Sequence, residues 1–192
     1  MKYKINFLSD WHCGSGLSAG MDTDYLVIKD QDGFPYIPGK TIKGLVREAV
    51  EEMAKLSGNN EDNAINKAFG FFDKDDEIKA KKGACFFTNA ELPLKLRETI
   101  KQENVQAFFF RTISSTKIDA SGVANEHSLR KMQVTIPCEL EGEILFVLEE
   151  LEGENILVLE DKIINGLSFI KRLGQNRNRG LGRCIITVEP NN

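Results

Sequence analysis

The sequence lacks the features that would mark a secreted, membrane-spanning or zinc-binding protein. Its four cysteines stand far apart and form no CxxC pair, so neither a disulfide framework nor a zinc site is predicted. No apolar run approaches the roughly 20 residues that span a bilayer. The start of the chain alternates apolar and charged residues instead of carrying the apolar segment of a signal peptide. We expect a cytoplasmic protein with reduced thiols and no membrane partner.

Excess positive charge is also absent. The 192 residues include 25 Lys and Arg against 29 Asp and Glu, which gives a net charge of -4. This balance excludes an indiscriminate polyanion binder, so any contact with nucleic acid must come from local clusters of basic residues. The hydrophobic share of 41% is ordinary for one domain with a sizeable core.

The order of apolar patterns predicts an α+β fold. Period-two segments indicate strands at "MKYKINFLSD", "GACFFTNAEL", "EGEILFVLEEL" and "CIITVEP". Helical spacing begins at Thr41, ends near Gly58, and returns in "NILVLEDKIINGLSFIKRLG". The resulting βαββαβ order is that of a ferredoxin-like core in a single domain, 1–192.

Two stretches interrupt this order. Residues 59–82 are mostly polar and charged, and they suggest a surface excursion. Residues 93–137 contain the strand-like segments "FFFRTIS" and "MQVTIP" around a polar stretch. We expect a long hairpin or loop here, inserted after the second strand, because insertions of this length usually serve function.

The segment "GFPYIPGKTIKG", residues 33–44, superficially resembles a phosphate-binding loop. A Walker A loop needs glycine five residues before Gly39, where this chain has Phe34. Pro35 and Pro38 also remove amide donors from the loop. Nucleotide hydrolysis and a nucleotide cofactor are therefore excluded.

The helix that follows nevertheless begins with a candidate anion site. Free amides at a helix start favour negative charge, and Lys40, Lys43 and Arg47 have the spacing of one helix side. A solvated helix face, with nearby glutamates as partners, is the alternative. For this element alone we favour the solvated face.

A second basic cluster lies in "LGQNRNRGLGRC", residues 173–184. Its glycines would let the backbone approach a ligand closely, and its arginines can bind phosphate or stack on bases. The glycines are Gly174, Gly180 and Gly182, and the arginines in and beside the segment are Arg172, Arg177, Arg179 and Arg183. By itself the segment is a weak signal for binding, and a turn between helix and strand is the default interpretation.

Taken together, these segments resemble the RAMP superfamily of CRISPR-associated proteins. The segment "DGFPYIPGKTIKGLVREA" is similar to that family's "PYIPGSSLKGALR" pattern, although Lys40 and Thr41 replace two small hydroxyl residues. The matching positions are Pro35, Tyr36, Ile37, Pro38, Gly39, Lys43, Gly44 and Arg47. The second cluster resembles the family's C-terminal glycine-rich loop at Gly180 and Gly182, and "SDWHCGSG" gives a looser match near the start.

The nearest likeness within that superfamily is to the backbone subunits of type III effector complexes, of the Csm and Cmr kinds. This resemblance implies an RRM-like core with a thumb hairpin, here around 93–137. It implies guide RNA and target RNA as partners, together with other effector subunits or further copies of the chain in a filament. The RNA-contacting residues that it implies are His12, Lys40, Lys43, Arg47, Arg111, Lys117, Arg130, Arg177, Arg179, Gly180, Gly182 and Arg183.

The resemblance also implies a cleavage residue. In those subunits the loop corresponding to "GMDTDYLVIKD" holds an aspartate that cleaves target RNA with a divalent metal. The matching residue is Asp24, with Asp22 as the alternative. The metal would be Mg²⁺, which a single carboxylate holds only when RNA oxygens complete its shell.

Other interpretations of these residues stay open. Both aspartates are also normal turn residues. His12 could contact RNA, pack in the core, or serve as the general base of a metal-independent endoribonuclease that processes guide RNA. A non-catalytic structural module is a third alternative, so the sequence leaves enzymatic activity undecided.

Overall fold

The computed structural model describes residues 1–19, 23–58, 62–71, 81–147, 151 and 156–189. These ranges contain helices and antiparallel strands in a mixed α/β arrangement. In chain order the elements are β1 (Lys2–Phe7), α1 (Gly39–Leu56), α2 (Asp62–Phe69), β2 (Gly70–Phe71), β3 (Lys81–Lys82), β4 (Cys85–Phe87), α3 (Leu94–Glu103), β5 (Phe110–Ser115), β6 (Arg130–Thr135), β7 (Glu139–Phe146), α4 (Ile156–Phe169) and β8 (Cys184–Val188).

Four strands form the main sheet in the order β4-β7-β1-β8. All three pairings are antiparallel. The alternation seen in the sequence places Tyr3, Ile5 and Phe7 of β1 in the core, so the predicted half-buried strand is confirmed. These four strands occupy the positions that the sequence predicted.

Helices α1 and α4 pack on each other and contribute to the same core. Ile163 and Leu167 of α4 are fully buried, and burial of such side chains stabilises the fold by about 1.5–3 kcal/mol each. Gly166 permits the close approach, because a Cβ there would lie 2.8 Å from Val50 Cγ2. Helix α4 ends at Phe169, before Lys171 and Arg172, which the predicted helical segment included.

The insertion between β4 and β7 contains a helix and a hairpin. Strands β5 and β6 pair from Phe110 with Thr135 to Ser115 with Arg130, as "FFFRTIS" and "MQVTIP" predicted. Helix α3 was not predicted, because among its residues only Ile100 is buried and the apolar period is weak. It is held instead through Arg97, whose Nη2 lies 2.7 Å from Asp30 Oδ2.

The prediction of a surface excursion over 59–82 was wrong in part. Helix α2 lies within this stretch, and it buries Ile65, Ala68 and Phe69 against the core. These three residues have helical spacing, but a helix of eight residues is too short for the pattern to repeat. Residues 59–61 and 72–80 lie outside the described part of the chain.

The cysteines are free thiols, and Cys85 and Cys184 are buried. Burial raises the pKa of both thiols to about 11, so they remain protonated at neutral pH. Among the described helices, none combines the length and the apolar character needed to cross a membrane.

Candidate nucleic-acid interface

The glycine-rich loop, residues 173–183, connects α4 to β8 in a closed conformation. The amide of Leu173 donates a 2.9 Å hydrogen bond to the carbonyl of Gly182. Gly174, Gly180 and Gly182 have φ values of 90°, 91° and 71°, which favour glycine. A Cβ on Gly182 would overlap the carbonyl oxygen of Leu173. The arginines in and beside the loop are exposed, namely Arg172, Arg177, Arg179 and Arg183.

The loop is fixed to the segment that follows β1. The amide of Gln175 donates to the carbonyl of His12 at 2.8 Å, and the amide of Gly182 donates to the carbonyl of Asp10 at 2.7 Å. Gly174 lies so close to His12 that a Cβ would overlap the His12 carbonyl oxygen. These bonds hold the exposed arginines on a rigid support.

Strand β6 lies on the other side of His12 and joins the loop to residues 23–28. The carbonyl of Gln133 accepts a 2.6 Å hydrogen bond from His12 Nδ1. The amide of Gln133 donates to the carbonyl of Tyr25 at 2.9 Å. Asn176 of the glycine-rich loop reaches the Met132 sulfur at 3.5 Å. The loop, the β5–β6 hairpin and residues 23–28 therefore form one surface, called here the loop–hairpin surface.

Asp24 is an exposed residue at the edge of this surface. Its amide donates to the carbonyl of Lys131 at 2.9 Å, and the amide of Lys131 donates to Asp24 Oδ2 at 2.7 Å. Among the described residues, the second carboxylate oxygen of Asp24 accepts no hydrogen bond. Asp22 lies outside the described residues.

The donor set near Asp24 is small. Within the described ranges, no group of three or more His, Cys, Asp or Glu side chains could hold a metal ion. Mg²⁺ is commonly bound by one or two carboxylates together with substrate phosphates and water. The residues present therefore suit a metal only in company with RNA phosphates.

The hairpin carries three of the basic residues that the resemblance implied. Arg130 and Lys117 are exposed, in β6 and in the β5–β6 connection. Arg111 of β5 is also largely exposed, but it is paired with the buried carboxylate of Asp10, to which its Nε donates at 2.7 Å. Arg111 thus neutralises a buried charge as well as facing solvent.

His12 is buried, with 1% of its surface exposed. Burial lowers the pKa of the imidazole, against the opposing effect of the hydrogen bond to Gln133. The ring is therefore neutral at neutral pH. Its burial gives no support to a role as the general base of a guide-processing endoribonuclease, because such a base must reach the hydroxyl it deprotonates.

Two of the basic side chains near the start of α1 form hydrogen bonds within the protein. Lys43 Nζ donates to the carbonyl of Cys85 at 2.9 Å. The Arg47 guanidinium donates to Glu51 Oε1, the Gly70 carbonyl and Asn66 Oδ1 at 2.6, 2.8 and 3.1 Å. These bonds link α1 to β4 and α2, whereas Lys40 is exposed.

The first backbone amide of α1 is also hydrogen-bonded within the protein. The amide of Gly39 donates to Asn89 Oδ1 at 3.1 Å, so this donor is not free for an anion. A Cβ on Gly39 would also collide with the Phe87 and Thr88 carbonyl oxygens. Gly39 therefore serves close packing between α1 and the end of β4.

The two predicted basic clusters do not form one site. Lys43 is bound to β4, the glycine-rich loop leads into β8, and these strands are the opposite edges of the main sheet. Where α1 approaches the loop, it lines a cleft of about 340 Å³ with acidic as well as apolar residues. The lining residues are Leu45, Glu48, Ala49, Glu52, Phe169, Ile170, Lys171, Arg172, Arg177 and Asn178.

Sequence reasoning missed several polar residues of the loop–hairpin surface. They are Tyr25, Lys131, Gln133, Gln175 and Asn176. The last two lie in the glycine-rich segment, where they were passed over in favour of its arginines. The others come together only through pairing between distant segments, which leaves no local signal.

A comparison of the sequence and a comparison of the structure with known proteins gave consistent results. The sequence model of the RAMP superfamily matches residues 4–185. A chain in the structure of "the Type III-B Cmr-beta bound to cognate target RNA" superposes with a TM-score of 0.72 and 13% identity, covering 96% of this chain and 95% of that chain. A chain of the apo state of Type III-B Cmr-beta gives 0.72 and 12%, with coverage of 97% and 95%. No curated protein matches the sequence.

Proposed function

The chain belongs to the RAMP superfamily, and from that premise we propose that it binds RNA as a backbone subunit of a type III CRISPR effector complex. The observation that carries the proposal is the loop–hairpin surface. There a rigid glycine-rich loop with exposed arginines is hydrogen-bonded, through His12, to the inserted hairpin. Such a surface offers cations and closely approachable backbone to a phosphate chain.

The topology supports this assignment. We propose a ferredoxin-like or RRM-like core, which the βαββαβ order of the main elements and the strand order β4-β7-β1-β8 support. We propose that the β5–β6 hairpin is the thumb that the family resemblance implies, within a single domain of residues 1–192. Structural similarity to Cmr-beta chains supports the same architecture.

RNA is not expected on the open face of the main sheet. Many RRM sheets stack bases on aromatic side chains, but here Lys4 lies at the centre of an acidic group. Its Nζ is 3.3 Å from Glu141, 3.2 Å from Glu189 and 3.9 Å from Glu139. This charge distribution would repel phosphates, which favours the loop–hairpin surface.

The partners we propose are guide RNA and target RNA, with neighbouring effector subunits or further copies of this chain, in the cytoplasm. The similar Cmr-beta structure contains cognate target RNA, which supports this choice. From the implied contacts we retain the exposed cations of the loop–hairpin surface, together with Lys40. We do not propose Lys43 and Arg47 as RNA contacts, because both side chains donate hydrogen bonds within the protein.

RNA binding is tested by titrating the protein with single-stranded RNA over a range of salt concentrations. Each phosphate contact contributes a slope of about 0.7 in log affinity against log salt. Arg177→Glu with Arg179→Glu should weaken binding at least about tenfold and reduce that slope by about 1.4. The matched control is Lys95→Glu, an exposed position on α3, which should leave both quantities unchanged. An RNA affinity that is unchanged in the loop variant but falls in Lys95→Glu would refute the proposal.

We further propose that Asp24 is the residue required for cleavage of target RNA. Its exposed carboxylate has one oxygen bound to the Lys131 amide, and the other would hold a divalent cation together with RNA phosphate. A bound Mg²⁺ would polarise the scissile phosphate and activate the nucleophile. The backbone bonds to Lys131 hold the carboxylate in place on the loop–hairpin surface.

The cleavage proposal is tested with two substitutions in the assembled complex. Asp24→Asn keeps an acceptor for the Lys131 amide but removes the charge, whereas Asp24→Ala removes both. Both variants should lose metal-dependent cleavage by about two orders of magnitude or more and retain RNA binding. Cleavage that persists in Asp24→Asn would favour the non-catalytic structural module, or a different catalytic residue.

A further inference from the structure

The cleft between α1 and the glycine-rich loop is lined by groups of opposite charge. Glu48 and Glu52 line it from consecutive turns of α1, and Lys171, Arg172 and Arg177 line it from the side of the loop. Its volume of about 340 Å³ lies within the range of small-ligand sites, about 300–1,000 Å³. Because Arg177 belongs to the glycine-rich loop, the cleft is continuous with the loop–hairpin surface.

The opposite charges in this cleft do not pair with each other. Within the described ranges, neither Glu48 nor Glu52 forms an ion pair, although three cations line the same cleft. The Arg172 guanidinium is held on its own side, where Nη1 donates a 2.5 Å hydrogen bond to the carbonyl of Arg177. Both glutamates are exposed. The carboxylates and the cations are therefore available to bind different parts of one ligand.

The cleft also presents apolar surface, including an aromatic ring. Phe169, the last residue of α4, is 47% exposed. Leu45 and Ala49 of α1 add aliphatic surface to the lining. Exposed aromatic rings of this kind stack on the unpaired bases of single-stranded RNA. A flat ligand with a donor edge and an anionic group would match all three parts of the lining.

A nucleotide has this combination of groups. Its phosphate suits the arginines, its base can stack on Phe169, and hydrogen-bond donors on the base suit the carboxylates, which only accept. Guanine suits a carboxylate best, because its N1–H and N2 amino group are adjacent donors. Adenine and cytosine each place an acceptor beside the amino group, and uracil places a carbonyl on each side of its N–H. A basic protein segment, by contrast, would be repelled by the three cations.

We propose that the cleft binds a guanine base of the RNA that lies on the loop–hairpin surface. Glu48 and Glu52 accept hydrogen bonds from the guanine edge, Phe169 stacks on the ring, and Arg172 and Arg177 bind the adjoining phosphate. The inference rests on the proposed function, because it requires RNA on that surface. It adds a preference for one base to a surface that otherwise contacts the RNA backbone.

The test uses short oligouridine RNAs that differ only at one central nucleotide, which is guanosine, inosine, adenosine or uridine. Inosine keeps the N1–H of guanine but lacks the N2 amino group, so it removes one donor to the carboxylates. In competition measured by fluorescence anisotropy, the wild type should bind the guanosine RNA at least about tenfold more tightly than the inosine RNA. The adenosine and uridine RNAs should bind no more tightly than the inosine RNA.

Three variants assign the preference to the cleft. Glu48→Gln combined with Glu52→Gln should lose it, because an amide presents a donor as well as an acceptor and matches adenine better than guanine. The matched control is Glu98→Gln with Glu103→Gln, which removes the same charge from α3 and should keep the preference. Phe169→Ala should weaken binding of the guanosine and inosine RNAs by a similar factor, because both bases stack. Affinity ratios between RNAs within one variant cancel the general effect of altered net charge.

The outcomes separate this inference from the proposed function. Equal wild-type affinity for the guanosine and inosine RNAs would overturn the inference alone, and so would a preference that survives Glu48→Gln with Glu52→Gln. Binding of free guanosine monophosphate without any preference for guanosine RNA would also overturn it, because the cleft would then serve a free nucleotide. Failure to bind any of the RNAs would overturn the proposed function together with the inference. Thermal unfolding of each variant checks that it is folded under the binding conditions.

Discussion

At the scale of single residues, the position of a cation in the sequence does not decide its role. Lys43 and Arg177 both look like candidate phosphate ligands, but the Lys43 ammonium is bound to the Cys85 carbonyl whereas Arg177 is exposed. Arg47 makes three hydrogen bonds inside the chain. Partners such as Gly70 and Cys85 are distant in sequence, so local spacing could not reveal them. Substitution of Arg47 would therefore lower the stability of the fold, so it is not a clean test of RNA binding.

Arg111 should prove to have a structural role. Arg111→Ala leaves the Asp10 carboxylate buried without its cation, and such a loss costs about 1–3 kcal/mol of the free energy of unfolding. Urea unfolding monitored by circular dichroism measures this cost. Asp10→Asn combined with Arg111→Ala should cost less than the sum of the single changes, because no buried charge is left. Strict additivity would show that the pair does not interact.

At the scale of elements, the predictions succeeded where the apolar period is regular. Strand β1 and helices α1 and α4 show such a period, and the strands of the inserted hairpin were also predicted, although the burial of β5 does not alternate. Helices α2 and α3 were missed, since α2 is only eight residues long and α3 is anchored by Arg97 instead of an apolar face. The glycine-rich segment was identified, but its attachment to His12 and Asp10 depends on backbone bonds between distant residues.

The two glycines that match the family's loop should respond differently to substitution. Gly180 has a φ of 91° and open space around it, so Gly180→Ala should cost only about 1–2 kcal/mol of conformational strain. Gly182 has a φ of 71° and a Cβ there would overlap the Leu173 carbonyl, so Gly182→Ala should cost about 3 kcal/mol or more. Denaturant titration of both variants makes the comparison. A cost for Gly180→Ala equal to that for Gly182→Ala would contradict the described loop geometry.

At the scale of the whole molecule, charge is distributed unevenly over an acidic chain. The open face of the main sheet carries Glu139, Glu141 and Glu189 around Lys4, while exposed arginines gather on the glycine-rich loop. From the net charge of -4, the sequence predicted that any contact with nucleic acid must come from local clusters of basic residues. It could not show that the two basic clusters lie toward opposite edges of the sheet, because only the strand order establishes this.

The most direct test of this account is to map which residues crosslink to bound RNA. Thiouridine-substituted RNA is irradiated in complex with the protein, and the crosslinked peptides are identified by mass spectrometry. Crosslinks should fall on residues 23–28, 130–135 and 172–183, and should be lost in the variant with Arg177→Glu and Arg179→Glu. Crosslinks confined to residues 39–47 or to the acidic face of the main sheet would contradict the account, because RNA would then bind away from the loop–hairpin surface.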